Sequence, residues 1–154
     1  MTREEQTDSR GGRKPGAVSR WMQRTMNARI NRKIRRGRGR FMGMDVLILH
    51  TEGRRSGLPR QTPLAWFADG EDTRLVVASG GGSMDPAWYV NLMAHPDKAA
   101  IEMPGQEAVP VTPHRLDDAD REQAWQRITA TQPRYAKYQA KSDRQYPVIR
   151  LTPR

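Results

Sequence analysis

From residue 41 to the end of the chain, glycine, proline and aspartate recur so often that most of the apolar runs between them have only strand length. The first, DVLILHT at 45–51, has the size and composition of a buried strand. A turn at 52–59 follows, with glycines on both sides of Arg54 and Arg55, and residues 60–68 form the next strand. Pro63 confines that strand to an edge or a bulge. Asp69-Gly70 turns the chain back into a third strand at 73–79, and two more, at 98–103 and 107–115, flank Pro104-Gly105. A last strand covers 147–151. Helices interrupt this series at two main places. One, at 86–95, has Pro86 in its first turn, Asp85 as its cap and Pro96 as its stop. The other is capped by Asp117, is acidic in its first turn, and presents Ala124, Trp125 and Ile128 on one face. Strands that do not alternate regularly with helices argue against a doubly wound sheet. The expected class is α+β, with a small antiparallel barrel as the core.

Charge divides the chain differently. Of 27 basic and 17 acidic residues, 13 and 3 fall within residues 1–40, so the remaining body is neutral. Residues 1–16 contain no hydrophobe beyond the initiator Met and are expected to be disordered. From residue 17 to about 36, Trp21, Met22, Met26, Ile30 and Ile34 recur at helical spacing among arginines, which predicts a basic amphipathic helix. Gly37, Gly39 and Gly43 end it. The expected organisation is a leader at 1–16, a helix and linker at 17–40, and a barrel domain at 41–154.

With no cysteine, the chain cannot build a disulfide scaffold, an iron–sulfur cluster or a thiol nucleophile. Its three histidines, His50, His95 and His114, stand at no metal-ligand spacing, and no metal site is expected. No apolar run approaches the roughly 20 residues of a membrane span, and the start of the chain lacks the apolar stretch of a secretory signal. A cytoplasmic protein is the default.

Three clusters carry candidate chemistry. Arg54, Arg55, Ser56 and Arg60 crowd the first turn, where guanidinium forks match phosphate or carboxylate oxygens; the competing reading is a solvated basic turn. Residues 78–91 run from a strand through Gly80, Gly81 and Gly82 into a helix carrying Trp88, Tyr89 and Asn91, an arrangement suited to a flat or anionic ligand. Here the alternative is that Trp88 and Leu92 pack on the core. Tyr135 and Tyr138 share a helix face, either as phenol donors to a substrate or as a packing pair. His50 has no carboxylate near it in sequence and reads as structural.

Taken in order, L-x-T-E-G-R-R-S-G-L-P-R-Q-T-P-L, V-V-A-S-G-G-G, D-P-A-W-Y-V-N-L-x-A-H-P and P-R-Y-x-x-Y-Q resemble the deazaflavin-dependent nitroreductase family over about residues 45–151. These are small split-β-barrel oxidoreductases of actinobacteria that use coenzyme F420. The resemblance implies that Arg54, Arg55, Ser56 and Arg60 hold the anionic end of the cofactor. Gln61, Thr62, Pro63, Leu64, Ala65 and Trp66, then Val77, Ala78, Ser79 and Gly80, then Ala87, Trp88, Tyr89, Val90 and Asn91 would line the rest of its site. Tyr135 would close over the deazaflavin, with Tyr138 forming part of the substrate space. Hydride would pass to an electrophilic acceptor such as a quinone, enone or nitroaromatic, with the proton supplied by Tyr135, Tyr138, Ser79 or water. Two positions depart from the pattern: Gly80 stands where relatives often carry Lys, and Asp85 stands where they carry Asn.

Two rival readings remain at this stage. One is a carrier on the same barrel that binds FMN or another cofactor. The other is a surface binder acting through residues 17–40, in contact with anionic lipid on the inner membrane face or, non-specifically, with nucleic-acid phosphates. Specific nucleic-acid recognition is not expected. The helix at 17–36 is also expected to pack beside the substrate pocket, and a homodimer is compatible with the fold.

Overall fold

The computed structural model describes residues 17–80 and 83–154, with side chains from residue 20 onward. The leader at 1–16, and Gly81 and Gly82 of the glycine loop, lie outside the described residues. The elements are α1 (Ala17–Arg35), β1 (Arg40–Phe41), β2 (Met44–Glu52), β3 (Pro59–Ala65), β4 (Phe67–Ala68), β5 (Arg74–Val77), α2 (Ala87–Ala94), β6 (Ala100–Glu102), β7 (Val109–Arg115), α3 (Asp118–Thr131), α4 (Arg134–Ala140) and β8 (Val148–Pro153). Every strand pair is antiparallel, in the order β1-β2-β6-β7-β8-β5-β4, with β3 added on β2. This is the α+β class read from the sequence, built on a single curled sheet.

The expected strand at 60–68 is two strands. Residues 59–65 pair with β2, whereas Phe67 and Ala68 pair with Leu75 and Arg74 of β5. The change of partner occurs at Trp66, whose N–H donates to the Asp45 carbonyl at 3.0 Å. One run of chain therefore touches both ends of the sheet and curls it into a split barrel. Continuing the β4–β5 register would place Ala65 level with Val77 and Pro63 level with Ser79, yet no ladder joins β3 to β5. Proline has no N–H, so residue 63 can supply no donor to a strand on either side. The barrel is open along this line.

Alternation sorts the side chains into layers. Leu47, Leu49, Val76, Ala78, Ile101, Val111, Ile149 and Leu151 fill the inside of the curl, and α2 stops one end with Tyr89 and Leu92. Burying a side chain of this size contributes about 1.5–3 kcal/mol. On the outer face Leu75, Val77 and Val148 pack under α3 and α4 against Ala124, Ile128, Tyr135 and Tyr146. Asp117 caps α3 as expected, accepting the Asp120 N–H at 3.0 Å.

A third, smaller cluster joins α1 to β2 through Ile34, Val46 and Ile48, with Ile30 beside them. Only the last turns of α1 pack. Trp21, Met22 and Met26 are about 60% exposed, so the predicted apolar stripe is half covered. The helix lies on the β2–β3 face: Asn31 donates to the Gln61 carbonyl at 3.3 Å, and Arg35 grips Glu102 of β6 through Nε (3.1 Å) and Nη2 (2.9 Å). Gly37, at φ +95°, turns the chain out of the helix.

Candidate functional site

The basic turn owes its shape to its glycines. Gly53 donates to the Leu58 carbonyl at 2.8 Å, and a Cβ at Gly53 would run into the Ser56 hydroxyl. That hydroxyl accepts the Leu58 N–H at 3.2 Å, and Gly57, at φ +66°, closes the loop. Arg54 and Arg55 are thereby left exposed on a compact turn. Asn91 ties the turn to α2: its Oδ1 accepts both the Arg54 backbone N–H and the Arg54 guanidinium, each at 3.0 Å. Asn91 is buried, so this bond locks the guanidinium stem against the helix. Two clusters 37 residues apart become one wall.

The unladdered line between β3 and β5 runs between two of the expected groups of site residues, 60–66 and 77–80. Register places Arg60, Thr62 and Leu64 opposite Thr51, Leu49 and Leu47, on the inner face, whereas Gln61, Pro63 and Ala65 lie opposite His50, Ile48 and Val46, on the α1 face. Gln61 is engaged there, with its side-chain carbonyl accepting from Arg35 at 2.5 Å. Its geometry serves helix docking. Trp66 packs against the inner core and carries the Arg74 guanidinium over its ring at 5.2 Å. Across the opening, Val77 and Ala78 are buried, Ser79 is half-buried and Gly80 is exposed.

The expected cap on α2 is corrected. Pro86 occupies the cap position, its carbonyl accepting from Tyr89 at 3.0 Å, while Asp85 lies one residue too early to cap and pairs with Arg144 at 3.2 Å. In α2 Ala87 is exposed, Trp88 and Val90 are half-buried, and Tyr89 is buried, its ring meeting that of Trp88 edge-on at 6.3 Å. Leu92 is fully buried, as the packing alternative required.

Tyr135 and Tyr138 do share a face, with ring centroids 5.7 Å apart, but their surroundings differ. Tyr138 is 46% exposed; Tyr135 is 6% exposed, edge-on to Phe67 at 5.5 Å, with its hydroxyl 3.7 Å from the Met44 sulfur. Burial, reinforced by Tyr138, pushes the Tyr135 phenol above its ordinary value, despite the opposing charge of Arg134. Tyr135 packs in the same cluster as Val77, which brings it beside the open line.

Two groups escaped the sequence reading. His50 does have a carboxylate, Glu102, at 2.5 Å across the sheet; the partner is 52 residues away in the chain, so no local spacing could announce it. Arg144, in the segment between α4 and β8, reaches the Ala78 and Gly80 carbonyls. It belongs to no motif.

Residues 20–153 match the family described as F420H(2)-dependent quinone reductase. The chain is 35% identical over 150 residues to the F420H(2)-dependent quinone reductase of Mycobacterium tuberculosis strain H37Rv, covering 89% of this chain and 99% of the relative. A solved F420-H2 dependent reductase superposes with a TM-score of 0.60 at 31% identity, over 69% of this chain and 92% of that one. Another structure, described as a domain-swapped dimer, gives 0.60 at 26% identity, over 88% and 99%.

Proposed function

The chain belongs to the F420H(2)-dependent quinone reductase family, and from that premise we propose how its residues divide the work of an F420H2-dependent oxidoreductase. The observation that carries the assignment is the Asn91 bond, which joins the arginine turn to α2 at the end of an open strand line. The donor set fits the cofactor. Exposed guanidiniums on a rigid turn suit an acidic tail, and the strand edge beside them carries no ladder between β3 and β5. Arg54, Arg55 and Arg60 would hold the anionic end, with Ser56 keeping the turn closed. Thr62, Leu64 and Trp66 on one side, and residues 77–80 on the other, would line the body of the ligand.

When bound and reduced, the cofactor supplies a hydride. Tyr135 would keep a proton on its phenol at the face of the ring, and its raised pKa keeps it neutral across the working range. Tyr138, half exposed beside it, would shape the acceptor space. The acceptor is a small electrophile, and a quinone fits the family's description best; enones and nitroaromatics extend the same chemistry. Titrating the protein with the deazaflavin and with FMN, read by absorbance, tests the assignment. Binding of the deazaflavin and not of FMN is expected, with a dissociation constant about tenfold or more higher in R54A/R60A, since a hydrogen bond to a charged group contributes roughly 1.5–3 kcal/mol. Unchanged affinity in the double variant would remove the tail site from this turn.

A second reading concerns the exposed half of α1. Trp21, Met22 and Met26 stand uncovered among Arg20, Arg24, Arg29 and Arg32, and the β1–β2 turn adds exposed Phe41 and Met42. Among the described residues no helix is long and apolar enough to cross a membrane. Apolar side chains in a cationic setting suit an anionic lipid surface instead. Co-sedimentation with phosphatidylglycerol vesicles, lost in high salt and absent with phosphatidylcholine, is the expected result; equal binding to both would reject it. A second copy of the chain is a further partner in this reading, prompted by the relative described as a domain-swapped dimer. Light scattering separates monomer from dimer.

A further inference from the structure

Gly80 and Asp85 meet at one side chain. Nη1 of Arg144 donates to the Ala78 carbonyl at 3.0 Å and to Asp85 Oδ1 at 3.2 Å, and Nη2 donates to the Gly80 carbonyl at 2.6 Å. The guanidinium plane rests on the Tyr146 ring at 4.8 Å, and the side chain is only 15% exposed. Its two backbone acceptors bracket Ser79: one is on the peptide entering Ser79, the other on the residue after it. A planar fork that bonds both ends of a dipeptide restricts the torsions between them. Gly80 needs such a restraint, because a residue without Cβ restricts its own torsions least. Asp85, which precedes α2, holds the same guanidinium.

We propose that Arg144 is a positioning residue for Ser79. It fixes the exit of β5 so that the Ser79 hydroxyl faces the bound deazaflavin, and Asp85 keeps the guanidinium in place. This rests on the deazaflavin reading of the cleft. The arrangement requires arginine, since an ammonium on a flexible stem cannot span two carbonyls and a carboxylate while lying flat on a tyrosine.

The test uses the full chain and the variants R144Q, R144K, S79A and R144Q/S79A. Amide hydrogen exchange at Ala78, whose N–H donates to the Pro147 carbonyl at 2.9 Å where β5 ends, is measured without cofactor and expected to speed up about tenfold or more in R144Q, while the β2 amides keep their protection. R144K is expected to fall between wild type and R144Q, and it replaces R144Q should that variant not fold. With reduced deazaflavin and menadione, R144Q is expected to lower kcat several-fold. R144Q/S79A should be no slower than S79A alone, because a brace for Ser79 has nothing to hold once the hydroxyl is gone. Unchanged exchange at Ala78, or kcat losses that multiply in the double variant, would overturn the proposal. Failure of the wild-type protein to take up the deazaflavin would instead sink the reading of the cleft, and the exchange measurement would still decide whether Arg144 braces the loop.

Discussion

At the scale of single residues, the proposed site pairs exposed guanidiniums with buried groups whose partners lie far off in the chain. Asn91 spends its carbonyl on Arg54, and among the described residues Tyr135 offers its proton to a thioether, a weak acceptor. A phenol held so loosely is aligned without giving the proton up. Y135F is therefore expected to lower kcat about 10²-fold, at the low end of general-acid effects, with deazaflavin affinity nearly unchanged. The sign of the pKa shift sets the pH profile. A donor raised above its ordinary value stays protonated past the usual tyrosine range, so the alkaline limb that belongs to Tyr135 should begin above pH 10. A limb below that pH that persists in Y135F would assign the proton to another group. Residue identities of this kind were legible in the sequence, since Arg54, Asn91 and Tyr135 all lie in the quoted motifs. Their partners were not: Met44 is 91 residues from Tyr135.

Among the elements, α1 departs furthest from its sequence pattern. Five apolar residues at helical spacing predict one continuous buried stripe, but the covering sheet ends partway along, so only Ile30 and Ile34 find a surface. Polar contacts complete the docking. Arg35 holds Glu102, and His50 lies against the same carboxylate. The Arg35 hydrogen bonds, only partly opposed by burial, keep Glu102 below its usual value near 4.5. A depressed carboxyl stabilises the folded state fully above its unfolded pKa and loses that contribution as pH falls through the folded one. Wild type should accordingly lose melting temperature more steeply than E102Q below about pH 4.5, with the two curves converging at the acid end. Parallel curves from pH 7 to 3 would show that the Arg35–Glu102 pair does not fasten the helix. The strands at 44–52, 74–77, 100–102, 109–115 and 148–153, by contrast, were legible to within a residue or two because Gly and Pro mark their ends, whereas β1 was not expected and the run at 60–68 divides in two.

For the molecule as a whole, the class was legible from the irregular order of strands and helices, while the closure was not. Nothing in RQTPLAWFA states that the run changes partners in its middle; that follows only when β2 and β5 are both in place to compete for it. The break at Trp66 has a mechanical consequence. Since the seam carries no ladder beside residues 63–65, the mouth can widen by bending at one residue with no strand leaving its hydrogen-bonded neighbour. A guest wedged there acts as a rivet between the first and last staves of the cask, so the enzyme should be stiffest when loaded and most yielding between turnovers.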